Sequence, residues 1–158
     1  MNMTEQRYRD AWLQCEKHMH HLLHAVQSVR PALPVTAAAL SCMDDETVQD
    51  WDQFILRFTK LQDTMGSRLY PALLGYLQEP YEDRPMLDKL NRLEKLGLID
   101  SVEQWNGLRA IRNQFAHDYP EDNIVKAAYL NQAVEAVDTL SQLLQRTADM
   151  TSRLQNKG

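Results

Sequence analysis

At 158 residues the chain has the length of one ordinary domain, able to bury a core without disulfides or a structural metal. Its net charge of −5 excludes the broad positive field that non-specific nucleic-acid binding needs, so any RNA contact must be local. The two cysteines, Cys15 and Cys42, have no close spacing and suit neither a disulfide framework nor a zinc site; they read as small buried hydrophobes in a reducing, cytoplasmic compartment.

Apolar residues recur at helical spacing along most of the chain and nowhere alternate long enough for a strand, which predicts an all-α fold with residues 1–158 as a single domain. The chain opens on polar residues, and no apolar run approaches the ~18 residues that span a bilayer, so neither secretion nor membrane insertion is expected. The first helix is expected from about Thr4, as N-cap, to Val29, with Tyr8, Trp12, Cys15, Met19, Leu22, Val26 and Val29 on one stripe, and Pro31 ends it. The segment Pro31-Ala32-Leu33-Pro34-Val35 with the alanine run that follows reads as a loop or a short irregular helix. A second helix starts near Asp45–Thr47 and presents Trp51, Phe54, Ile55, Phe58, Leu61 and Met65; Gly66 and Pro71 then interrupt it, and a kinked continuation to Leu77 is the expectation. A polar turn over 79–85 leads into a shorter helix with Leu87, Leu90, Leu93 and Leu96, closed by Gly97.

Ser101-Val102-Glu103-Gln104 reads as a capping box opening the next helix, which carries Trp105, Leu108, Ile111 and Phe115 as core residues and stops at Pro120. The last helix runs from about Glu121 past Leu144, with Leu130, Val134, Val137, Leu140 and Leu144 inward. Antiparallel packing of these elements gives an up-down bundle of four to five helices.

The segment Arg112-Asn113-Gln114-Phe115-Ala116-His117-Asp118-Tyr119 concentrates a fixed cation, a titratable base and a modifiable hydroxyl in eight residues. Asn113 and His117 lie four apart on one helix face, with Arg112 about 140° round the axis from His117, a gap its long side chain can cross. An Arg followed five positions on by His arises by chance in roughly one such chain in three, whereas the added Asn and Tyr bring that to about one in a thousand. The spelling Arg-Asn-x-x-x-His-x-Tyr resembles the R-x4-H-x-Y signature of HEPN ribonuclease toxins, in particular the HepT-like members paired with a small nucleotidyltransferase antitoxin. The likeness is sharpest over Arg109–Tyr119; elsewhere it extends only to length, helicity and helix order.

That resemblance implies a HEPN-like helical bundle acting as a metal-independent RNA endonuclease, the toxin of a type II/VII-like toxin–antitoxin pair. It implies a homodimer whose two motifs share one cleft, and a separate nucleotidyltransferase antitoxin that adds AMP units to Tyr119. Beside it stands the chemistry of the residues. RNA is cut without metal when its own 2′-hydroxyl attacks the adjacent phosphate, provided one group takes the proton and another stabilises the anionic phosphorane. His117, with an ordinary pKa of about 6.5 and a place near a helix C-terminus, suits the first role. Arg112, charged at every relevant pH and forked, suits the second. Asn113 could orient the imidazole or a phosphate oxygen, and Arg109, one turn before Arg112, could extend the phosphate grip. The plainer reading has Arg112 and His117 capping carbonyls or pairing with Asp118 and Glu121, and Tyr119 wedging the helix end.

Six basic residues between Arg84 and Arg112 stand against four acidic ones, while Asp44, Asp45, Glu46, Asp50 and Asp52 cluster in a stretch without Lys or Arg. His18, His20, His21 and His24 share the first helix; His20 and His24 have metal-clamp spacing, but only Glu16 is near enough to add a ligand, and two are too few for structural zinc. A solvated or interface-lining histidine face is the expectation, with no metal and no cofactor. The functional expectation is thus the nuclease, and its rival a non-catalytic helical subunit that binds a nucleotidyltransferase or another protein partner.

Overall fold

The computed structural model of the chain describes residues 2–116 and 122–156, and every regular element among them is helical. Seven α-helices follow in order: α1 (Met3–Val29), α2 (Ala37–Ser41), α3 (Asp45–Thr64), α4 (Tyr70–Tyr76), α5 (Met86–Lys95), α6 (Val102–Ala116) and α7 (Asn123–Asn156). Because α3 and α4 are one helix joined by a π turn at Met65–Leu69, the described bundle has five substantial helices plus the single-turn α2, an all-α bundle as the spacing predicts.

Helices α1, α2, α3 and α6 each start where a side chain satisfies an orphan amide, whereas Pro85 before α5 supplies no such cap. Asn2, not Thr4, caps α1, accepting from the Glu5 amide at 2.8 Å, while the Thr4 hydroxyl donates to the same Asn2 oxygen. Thr36 caps α2 and Asp44 caps α3. Asp45 and Glu46 follow in the first turn of α3, so part of the acidic cluster complements that helix dipole. Within residues 31–47, Asn131 of α7 clasps Val35, donating to its carbonyl and accepting from its amide, both at 2.9 Å, which ties the connection to the bundle.

Past Gly66 and Pro71 the helix continues, as the sequence predicts, and it does so through a π turn. Proline lacks an amide hydrogen and its ring crowds the carbonyl four residues back; the wider π turn, in which the Tyr70 amide donates to the Met65 carbonyl, removes that conflict. Gly97, at φ +78°, closes α5: its amide donates to Glu94 and the Leu98 amide to Leu93, a pattern that needs a left-handed residue. At α6 the Ser101 hydroxyl accepts from the Gln104 amide at 2.9 Å, but Gln104 reaches back to the Asp100 amide rather than to that of Ser101.

α1 and α3 run antiparallel, since Gln14 meets Arg68 while His18 meets Arg57. α7 returns along α1, with Tyr8 against Thr151 at one end and Met19 near Ser141 towards the other. α6 lies antiparallel to α3, where Phe58 meets Phe115 and Gly66 meets Trp105. Phe54, Phe58, Leu61, Leu93, Trp105 and Leu140 are fully buried in one continuous core. Trp12, Ile55, Val134, Ile111 and Phe115 are only half-buried, because each sits at the edge of its helix stripe, and Leu87 points to solvent. Cys15 is buried, and its thiol is pushed up to about 12 by burial; Cys42 is exposed, because the short α2 turns it outward to donate to the Ala38 carbonyl, so only one cysteine is the expected buried hydrophobe. No described helix is long and apolar enough to cross a membrane.

Candidate active site on the sixth helix

Two inward residues fix the position of α6. Trp105 is fully buried and packs its ring edge on the Tyr70 ring at 5.3 Å, and Gly66 of the π turn lets it close, because a Cβ there would lie 3.0 Å from Trp105 Cζ2. Phe115 meets Phe58 edge-on at 5.9 Å near the other end. Between these anchors Arg112, two turns beyond Trp105, faces α3 at the surface.

There Arg112 meets Asp63 side-on. Its Nε donates to one carboxylate oxygen and its Nη2 to the other, both at 2.8 Å. The hydrogen bonds to Asp63 push the guanidinium above its ordinary pKa, against the opposing effect of burial; more useful than the shift is the fixed orientation. Nη1 is left with a single long contact, 3.4 Å, to Asn113 Oδ1. Of the five guanidinium donors, the Nη1/Nη2 edge thus remains available to a second oxyanion, and the side chain is 25% exposed. Asp63 sits 49 positions away, on a helix whose apolar stripe gives no hint of it; it was missed from the sequence, and the partner expected for Arg112, Asp118 or Glu121, lies outside the described residues.

Asn113 is exposed and points its oxygen towards Arg112. Arg109 is exposed and makes no ion pair with a described residue. His117 and Tyr119 fall outside the described residues, so of the expected site the structure brings together Arg112 and Asn113, with Asp63 added. The other flank of α6 forms an open groove with α7, lined by Gly107, Ile111, Gln114, Tyr129 and Ala136. Ile124 and Val125, at the start of α7 just past the motif, are 71% and 36% exposed.

Three of the six basic residues from Arg84 to Arg112 pair with a carboxylate, Arg112 among them. Arg92 clamps Glu79 through two bonds of 2.9 Å, and Arg84 lies 3.8 Å from Asp88. No group of three or more histidine, cysteine or acidic side chains suited to a metal occurs among the described residues. No protein-family model, no curated protein and no solved structure matches this chain.

Proposed function

We propose that the protein is a metal-independent RNA endonuclease of the HEPN type, with Arg112 stabilising the phosphorane and His117 moving the proton. What carries the reading is the state of Arg112: a guanidinium held rigid at the surface by Asp63, its Nη1/Nη2 edge open, five residues before the histidine of the motif. A preoriented fork is what stabilisation of a developing oxyanion requires, because no reorganisation is needed as charge accumulates. In this reading Arg109, one turn before Arg112, and Asn113, whose oxygen faces Nη1 of Arg112, would supply further donors to phosphate. A single motif histidine per chain cannot be base and acid at once, so the reading includes a homodimer with a composite cleft, and the exposed Ile124 and Val125, just past the motif in sequence, suit a buried contact there.

Inhibition by a nucleotidyltransferase antitoxin follows in the same reading. AMP added to Tyr119 would bring negative charge to the motif and compete with RNA phosphate for Arg112. The second reading, a non-catalytic helical partner subunit, is favoured by one observation: the Arg112–Asp63 pair accounts for Arg112 without any substrate. Cleavage of a fluorogenic RNA separates the two. Arg112→Ala should lower the rate on the order of 10²–10³ with the helical circular-dichroism spectrum intact. Equal rates for wild type and variant discard the nuclease.

A further inference from the structure

The histidines of α1 that the motif leaves aside meet α3 along a seam. Nη1 of Arg57 lies 3.1 Å from Nδ1 of His18. A guanidinium can only donate, so Nδ1 accepts and the ring proton of neutral His18 sits on Nε2, the ring's other nitrogen. The Nε of Arg57 is buried and has no hydrogen-bond partner. Lys17 and His21 of α1 and Lys60 of α3 complete the group. Burial first, and then Arg57, Lys60, Lys17 and His21, hold the His18 pKa below its ordinary value.

Of the other cations, Arg7, Arg9, Arg84, Arg92, Arg112 and Arg146 each reach a carboxylate and Arg30, Lys89, Lys95, Arg109 and Arg153 reach none among the described residues; what sets the seam apart is that its cations gather round one half-buried imidazole. Among the described residues no carboxylate lies within 4.0 Å of Lys17, Arg57 or Lys60. Glu16, adjacent in sequence, lies on the other flank of α1, where it lines a surface dip with Trp12, His20 and Ser141 of α7. Arg68, about 16 Å further along the helix at about 1.5 Å per residue, continues the seam and donates to the Gln14 amide, not to an acid. An acidic chain that keeps such a cluster unpaired has left a binding surface for an anion.

We propose that this α1–α3 seam, built by Lys17, His18, His21, Arg57 and Lys60, binds the phosphodiester backbone of single-stranded RNA and leads it to Arg112; the second half of the statement rests on the nuclease reading. Lys60 stands one turn before Asp63, which holds Arg112, so the seam and the candidate site are continuous along α3. RNA fits better than an acidic protein helix because flat imidazoles alternate with the cations. His18 and His21 offer faces on which bases stack while the lysines and Arg57 take phosphates.

The test is fluorescence anisotropy with a labelled 2′-O-methyl oligoribonucleotide, which lacks the nucleophile and cannot be cut, titrated across a range of salt. Lys17→Gln/Lys60→Gln changes two exposed side chains and keeps the fold even where Arg57→Gln does not. It should weaken binding about tenfold and reduce the slope of log affinity against log salt by about 1.4, at about 0.7 per lost phosphate contact. Unchanged affinity and slope overturn the proposal, as does an absence of RNA binding by wild type or displacement of RNA by poly-glutamate at equal charge. Seam-dependent binding without cleavage of unmodified RNA leaves the seam standing and removes the nuclease; cleavage with seam-independent binding does the reverse.

Discussion

Replacing Asp63 by Asn separates the orientation of Arg112 from its charge. The wild-type pair makes two charge-assisted bonds of 2.8 Å. An Asn amide can accept one of them, and its NH2 then faces a guanidinium N–H, so the second is lost. With the partners 25% and 42% exposed, solvent screening limits the cost in stability to roughly 1 kcal/mol, or about 2–4 °C in Tm for a chain of this size. The effect on cleavage should be larger than on folding, and of mixed sign. A guanidinium free to swing loses part of its transition-state contact, so kcat should fall roughly tenfold, about 1.4 kcal/mol. Removing the competing carboxylate leaves Arg112 more attractive to ground-state phosphate, so KM should fall as well. Steady-state cleavage of a fluorogenic RNA, with thermal unfolding followed by circular dichroism, reads both quantities. A tenfold rise in kcat would refute the reasoning, because Asp63 would then block Arg112 rather than aim it.

The packing of α6 can be tested with two glycines. Gly66→Ala pushes a methyl to 3.0 Å from the fully buried Trp105, and an overpacking cost of about 1–3 kcal/mol outweighs the gain in helix propensity of up to about 1 kcal/mol; Tm should fall by about 2–4 °C. Gly107→Ala meets nothing within 4 Å on the same helix and should raise Tm; a rise for both would show that Trp105 tolerates the methyl. His18 gives a pH dependence. Its folded pKa lies below the unfolded value of about 6.5, so its neutral form is favoured in the fold; its effect on stability is absent above about pH 6.5 and becomes a loss as pH falls through the folded pKa. Unfolding at about pH 7 and about pH 5.5 should show a smaller drop in Tm for His18→Asn than for wild type, and equal drops would contradict the burial of His18 beside Arg57. After co-expression with a nucleotidyltransferase antitoxin of the kind the reading requires, intact-mass spectrometry should show added AMP that is absent from Tyr119→Phe; no added mass on wild type removes the modification.

Local patterns were legible in the sequence where one residue type forces one geometry. Gly97 closes α5 because only a residue tolerant of positive φ fits there, and the long helix widens into a π turn ahead of Pro71, which lacks an amide hydrogen. The cap of α1 was misplaced by two residues, since Asn2 and Thr4 are both good capping residues and only the backbone geometry chooses between them. Residues 31–47 were opaque because Val35 is held by Asn131, nearly a hundred positions later. Arg112 stood out through its motif, yet its partner did not: Asp63 is one more polar residue on a solvated helix face until α6 is laid against α3. Half-burial of Ile111 and Phe115 was likewise invisible to periodicity, which ranks positions round a helix but not how far neighbouring helices extend over them.

The 3′ end of the cleavage product tests the central claim most directly. Wild-type protein incubated with RNA in excess EDTA should yield fragments ending in a 2′,3′-cyclic phosphate by mass spectrometry, and neither Arg112→Ala nor His117→Ala should yield them. Fragments ending in a 3′-hydroxyl, or cleavage that appears only when Mg²⁺ is added, would contradict an attack by the RNA's own 2′-hydroxyl assisted by arginine and histidine.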